Sequence, residues 1–224
     1  MSTTGAPLPN SLHVLSPGVL IKAPLLAVGL VGPAGAGKTS LVEATARQLR
    51  GKARLGVITV NPAAERDADR VSRYCDQVEA VCARSADIDT IRSVLPRFKL
   101  DDLDLLLMDA IAPLDGVPFF GQDITVAVLS VAAGDDKAPL YSDLLAHSDM
   151  LILNKADLQR HVMFDRGAFW ADVRHINPDL DLIEVSTYEN RGLDRWITWL
   201  ERRRQDKINN YHPTANRDDH VSLG

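Results

Sequence analysis

LLAVGLVGPAGAGKTSL, residues Leu25 to Leu41, passes from a short apolar run through a glycine-rich loop into the start of an amphipathic run. Gly32-Pro33-Ala34-Gly35-Ala36-Gly37-Lys38-Thr39 satisfies every fixed position of the G-x-x-x-x-G-K-[ST] phosphate-binding loop. Glycines let the backbone turn tightly, so that amides of Gly35, Ala36, Gly37 and Ser40 can point at phosphate oxygens, and the following helix adds its unpaired N–H groups and positive dipole end. In this pattern Lys38 reaches the β- and γ-phosphates, and the Thr39 hydroxyl ligates Mg²⁺. The flanks agree with the loop. Leu25–Val31 reads as a buried strand, and Thr39–Arg50 carries Leu41, Val42, Ala46 and Leu49 at helical spacing.

The 224 residues suffice for one domain with a sizeable core. A net charge of −5 provides no overall basic surface, which argues against wholesale nucleic-acid binding. Two cysteines, Cys75 and Cys82, are too few for a disulfide framework and suit a reducing cytoplasm. The opening residues lack a basic segment followed by an apolar one, so no secretory signal is expected, and no apolar run approaches the ~20 residues of a membrane span. Three segments are expected: an extended Pro-rich arm over 1–24, a nucleotide-binding domain over 25–208, and a polar, flexible tail over 209–224. A metal-binding tail built on His212, Asp218, Asp219 and His220 is the weaker alternative to a disordered one.

Along the domain, strands are predicted at Arg54–Val60, Gln77–Cys82, Leu103–Met108, Ile124–Val131, Met150–Leu153 and Leu182–Val185. Helices are predicted at Ala64–Tyr74, Ile88–Phe98 (broken at Pro96), Pro139–His147, Phe164–Ile176 and Leu193–Lys207. Ile111–Asp123 reads as a loop. Strands alternating with helices imply right-handed crossovers and an α/β fold, a mostly parallel sheet with helices on both faces. Ligands gather at the carboxyl ends of such strands, and three motifs fall there.

The first motif is the phosphate loop. The second is Asp109, which closes the apolar run LDLLLM as a Walker-B carboxylate does when it holds the Mg²⁺ shell. The third is Asn154-Lys155-Ala156-Asp157, an N-K-x-D element. A carboxylate at Asp157 can accept from both N1–H and the 2-amino group of guanine. Adenine offers neither donor, and an unpaired buried polar group makes the discrimination large. The Lys155 stem covers the base and Asn154 braces the loop. Val185-Ser186-Thr187, at the end of the last strand, is expected to give a backbone contact to guanine O6, with Ser186 as the site residue.

On these residues the chain resembles the hydrogenase-maturation GTPases of the HypB type and, more distantly, the urease-accessory GTPases of the UreG type. The resemblance rests on Pro33–Leu41, Asp67-Ala68-Asp69-Arg70, Leu129-Ser130-Val131, Gly134-Asp135-Asp136-Lys137, Tyr141, Ser148–Leu158, Ile176-Asn177-Pro178-Asp179 and Gly192-Leu193-Asp194. It implies a P-loop NTPase of the G-protein type, GTP hydrolysis coupled to nickel delivery, a client metalloenzyme or its accessory proteins as partners, and a nucleotide-dependent homodimer.

The sequence departs from that pattern where metal and hydrolysis are handled. An adjacent Cys-His pair is implied after the third strand, where Cys82-Ala83-Arg84-Ser85-Ala86-Asp87 has no histidine. Cys75 and Cys82 could still pair as ligands, although structural thiols are the simpler reading. An aspartate is implied where Asn61 stands, and an amide neither serves as a carboxylate base nor binds a metal as well. A glycine whose N–H meets the γ-phosphate is implied where Ala112 precedes Pro113, and a residue before proline is pushed toward extended angles. No Cys-Pro element follows, only Gly116-Val117-Pro118.

The function expected is therefore a Mg²⁺-dependent GTP/GDP-binding protein with slow turnover, Lys38 and Asp109 serving catalysis and Thr39 and Asp109 the metal, which assists assembly of a metalloenzyme centre. Nickel or zinc would need ligands that the sequence does not identify. The alternative is a nucleotide-gated binding module with little hydrolysis and no metal delivery of its own. An ATP-dependent kinase on the same scaffold is disfavoured by Asn154–Asp157.

Overall fold

The computed structural model describes residues 23–83, 88–112 and 121–211. Seven strands, β1 (Leu26–Gly32), β2 (Leu55–Val60), β3 (Gln77–Val81), β4 (Leu105–Ile111), β5 (Ile124–Ser130), β6 (Met150–Asn154) and β7 (Asp181–Glu184), form one sheet in the order β3-β2-β4-β1-β5-β6-β7. Every pairing is parallel. The expected α/β class is what the chain adopts. Parallel pairing requires long crossovers, and these carry the helices α1 (Lys38–Leu49), α2 (Ala64–Ser72), α3 (Ile88–Val94), α4 (Ser142–Ala146) and α5 (Arg166–Ile176); α6 (Leu193–Asn210) follows the last strand.

Because strand side chains alternate between faces, the sheet builds two cores. On one face Leu26, Val28 and Leu30 of β1 and Leu105 and Leu107 of β4 pack with Leu41 and Val42 of α1 and Trp196 of α6. On the other, Ala27, Val31, Leu106 and Met108 pack with Ile91, Leu144, Leu145 and Phe169. The strands covered on both sides are near-continuous apolar runs, as buried parallel strands should be. The first face carries the motif residues. Asp109 shares the parity of Leu105 and Leu107, and Asn154 that of Met150 and Ile152, so both belong to the α1 side.

Several predicted boundaries shift. β4 continues two residues beyond Asp109, because Ala110 and Ile111 still pair with β1; Asp109 lies within the strand rather than after it. The predicted helix over Pro139–His147 is a 3₁₀ turn at Pro139–Tyr141 followed by the five-residue α4. The helix predicted to break at Pro96 gives way at Val94 to a 3₁₀ turn, Leu95–Arg97. The last helix reaches Asn210, past the expected end of the domain at 208, and Lys207 near its end pairs with Asp123. The Ala23 side chain is buried, so the last residues of the expected arm already belong to the core. Residues 1–22, most of the expected arm, and 212–224, which hold the tail histidines, lie outside the described residues, as do 84–87, Pro113 and the Gly116-Val117-Pro118 stretch.

Candidate functional site

Each wall of the site follows from a local rule. The loop after β1 turns back on itself because Gly35 and Gly37 take φ of 78° and 90°, angles that L side chains rarely adopt. At Gly37 a Cβ would also sit 2.3 Å from Asn154 Nδ2. Lys38, in the first turn of α1, folds into the loop: its Nζ donates to Gly32 O at 2.8 Å and Pro33 O at 3.0 Å. The side chain is only 6% exposed. Burial pushes its pKa down from the usual lysine value, and nearby Asp109 and Asp67 push it back up. A buried cation held inside a glycine-rich loop at the N-terminus of a helix is a preorganised anion site, although the Ala36 N–H already donates to Pro33 O at 3.2 Å.

Thr39 Oγ1 donates to Asp109 Oδ2 at 2.6 Å, the contact set up by the strand parity. Asp109 is 2% exposed. Burial raises its pKa, opposed by the Lys38 charge and the Thr39 hydrogen bond. With its proton committed to Asp109, the Thr39 hydroxyl keeps lone pairs for a cation. A hydroxyl beside a carboxylate is a hard oxygen pair that fits Mg²⁺. Thr39 and Asp109 are thus the residues that would hold it.

The N-K-x-D element sits at the end of β6. Asn154, fully buried, donates from Nδ2 to Ala36 O at 3.0 Å and Gly37 O at 3.3 Å, and its Oδ1 accepts from Lys155 N at 2.8 Å. It clamps the phosphate loop to the loop after β6. Lys155 takes φ 57°, an angle that costs a non-glycine residue about 1–3 kcal/mol and persists only where surroundings enforce it. Asp157 Oδ1 accepts from Ser186 Oγ at 2.6 Å. Ser186 differs from the expectation. Its N–H donates to Arg191 O at 3.0 Å, closing a small antiparallel bridge, and is not free for guanine O6. Its hydroxyl braces Asp157 instead.

A cavity of about 510 Å³ opens between the phosphate loop, Asn61, Asp67, Arg70, Asp109 and Lys155. Asn61 is 8% exposed and stands in the turn that leads into α2. Its Oδ1 accepts from Ala63 N at 2.7 Å, while its Nδ2 donates to Asp67 Oδ2 at 3.1 Å. The amide at 61 therefore holds a carboxylate, Asp67, in the wall facing Lys38 and Asp109. Asp67 and Arg70 entered the sequence reading only through the resemblance. Their signal was their place one and two turns into a polar helix that follows a strand end. Ala112 N donates to Gly32 O at 2.9 Å, extending the β4–β1 ladder, so this amide is consumed by backbone.

The cysteines cannot share a metal. Cys75 precedes β3 and Cys82 follows it; at about 3.3 Å per residue they stand roughly 20 Å apart. The half-buried Cys75 thiol is pushed up to about 12 by burial and by Asp76. Among the described residues no group of three or more His, Cys, Asp or Glu side chains could hold a metal ion, and no helix is long and apolar enough to cross a membrane.

Gly134-Asp135-Asp136-Lys137 forms a 3₁₀ turn beside the phosphate loop. Asp135 accepts from Asp165 N at 2.9 Å, which docks the turn onto the start of α5.

These features define a P-loop NTPase fold of the G-protein type. Residues 111–184 match the family described as CobW/HypB/UreG, nucleotide-binding domain. The chain is 33% identical over 189 residues to hydrogenase maturation factor HypB of Azotobacter vinelandii, across 82% of this chain and 62% of that protein. The chain therefore spans less than two thirds of this relative's length. Among solved structures, HypB of Archaeoglobus fulgidus superposes with a TM-score of 0.75 at 28% identity, covering 83% of this chain and 93% of that one. HypB of Helicobacter pylori in complex with nickel gives the same TM-score at 21% identity, over 86% and 93% of the two chains, and speaks for the fold alone.

Proposed function

We propose that the chain is a Mg²⁺-dependent guanine-nucleotide-binding protein that hydrolyses GTP slowly and assists assembly of a metalloenzyme centre. The observation that carries the reading is the convergence, on one edge and one face of the sheet, of Lys38 and Thr39 with Asp109 and of Asn154 with Asp157. Lys38 and the loop amides neutralise the phosphates. Asp157, braced by Ser186, accepts from guanine, and Lys155 covers the base. Mg²⁺ on Thr39 and Asp109 would supply charge stabilisation at the β- and γ-oxygens.

Three features support slow turnover: the amide at Asn61, the backbone engagement of the Ala112 N–H, and the lack, among the described residues, of an identified water-orienting group. The same features favour the second reading, a nucleotide-gated module in which partner affinity, rather than hydrolysis, is the output. The maturation role, a client metalloenzyme or accessory protein as partner, the nucleotide-dependent homodimer and a cytoplasmic location rest on similarity to HypB proteins. Nickel or zinc delivery would need ligands other than the separated Cys75 and Cys82. A GTP turnover assay on the purified protein, with and without Mg²⁺, tests the reading together with Ni²⁺ titration. Measurable guanine-specific turnover well below that of an ordinary GTPase is expected; fast turnover, or tight stoichiometric nickel binding, contradicts it.

A further inference from the structure

The base-side motif and the phosphate loop set a direction for a bound nucleotide. Its base lies toward Asp157 and its phosphates run over the amides at Gly35–Lys38. The distal end of the cavity is then the wall made by Asn61, Asp67 and Arg70. On that direction a third phosphate, added at the loop end of the nucleotide, extends toward that wall.

Arg70 has the chemistry for that position. Its Nη2 lies 2.8 Å from Glu43 Oε2 and 3.4 Å from Ser40 Oγ. Its Nη1 is 3.9 Å from Asp67 Oδ1. The guanidinium therefore hovers over the first turn of α1, next to Thr39, held there by Glu43. Both partners of this bridge reach solvent, with side chains 44% and 26% exposed, and such a bridge supports little stability. A planar guanidinium meets phosphate oxygens through two parallel hydrogen bonds, a stronger contact than one with an exposed carboxylate. Lys155 lines the cavity on the side of the N-K-x-D element, so at the distal end Lys38 and Arg70 stand against Asp109 and Asp67. Lys38 alone leaves a triphosphate under-compensated at its distal end.

Resting on the guanine-nucleotide reading above, we infer that Arg70 is the group that distinguishes triphosphate from diphosphate, exchanging Glu43 for the terminal phosphate. Glu43 is its holding partner in the absence of that phosphate, and the exchange draws α2 against the phosphate loop.

The test measures dissociation constants for GDP and for a non-hydrolysable GTP analogue, with Mg²⁺, on the unmodified chain and on R70A, R70K and E43Q. Arg70→Ala should leave GDP affinity unchanged and lower the preference for the triphosphate by about tenfold or more. Arg70→Lys should recover part of it. Glu43→Gln should hold or raise the preference, because the guanidinium is released. If R70A and E43Q instead shift both ligands alike, or R70A leaves the ratio unchanged, Arg70 is a strut between α1 and α2 and the inference falls while the guanine reading stands. If the unmodified chain binds neither guanine ligand, both fall.

Discussion

The two ends of the site are built differently. At the base end each key polar group is fastened: Asn154 makes three hydrogen bonds with no exposure, Asp157 is fixed by Ser186, and Ser186 by Arg191 and by Glu189 N at 3.0 Å. At the distal phosphate end Asp67 and Arg70 stand on a short helix with Ala64 and Val71 as its buried residues, joined to α1 through partly exposed ion pairs. Selection of the base requires a rigid, fully satisfied set of partners, since discrimination comes from leaving a wrong ligand unpaired. A response to the third phosphate requires contacts that can exchange, and exposed ion pairs exchange at little cost.

The largest break in this comparison should come from Asp157→Ala, which removes the proposed acceptor for guanine. Competition between guanine and adenine nucleotides should show the guanine preference falling by on the order of 10³-fold or more, with little change in the role of Mg²⁺. Gly37→Ala should disturb both ends together, because its Cβ would strike Asn154 Nδ2 and its φ is positive. A stability loss of about 1–3 kcal/mol by thermal melting, with weakened binding of every nucleotide, is expected.

Asp109→Asn separates stability from function. Burial raises the folded carboxyl pKa above its ordinary value. The group's contribution to stability is thus present at low pH and is lost as pH rises through the folded pKa. At neutral pH the asparagine variant should melt no lower than the parent, while Mg²⁺ no longer strengthens nucleotide binding. In the parent, Mg²⁺-dependent affinity should weaken on acidification at a pH above that expected of an exposed aspartate. The smallest effect belongs to Ser186→Ala, which frees Asp157 to rotate. A loss of about 1 kcal/mol in guanine affinity, without change at the phosphate end, would sharpen the distinction between the two ends.

The same contrast explains what could be read in the sequence. Lys38, Thr39, Asn154 and Asp157 sit in short motifs whose spacing is itself the geometry, and the apolar runs around them set which strands are buried on both faces. Asp109 could be placed at its strand but not within it, because nothing local shows that Ala110 and Ile111 keep pairing. Ser186 was visible as a residue but not in its role, which depends on a bridge to Arg191 across the four residues between them. Asp67 and Arg70 carry no motif of their own. They lie on an almost wholly polar helix, and their place in the cavity comes from how α2 packs against β2, β3 and α1. The departure at Asn61 read as a lost carboxylate; the fold shows that amide holding another carboxylate in place.

The most direct measurement is calorimetric titration of the nucleotide-free protein, with Mg²⁺, by GDP and by ADP. The account predicts stoichiometric GDP binding, with ADP weaker by on the order of 10⁴-fold. Equal affinity for the two, or no binding of GDP, would contradict it.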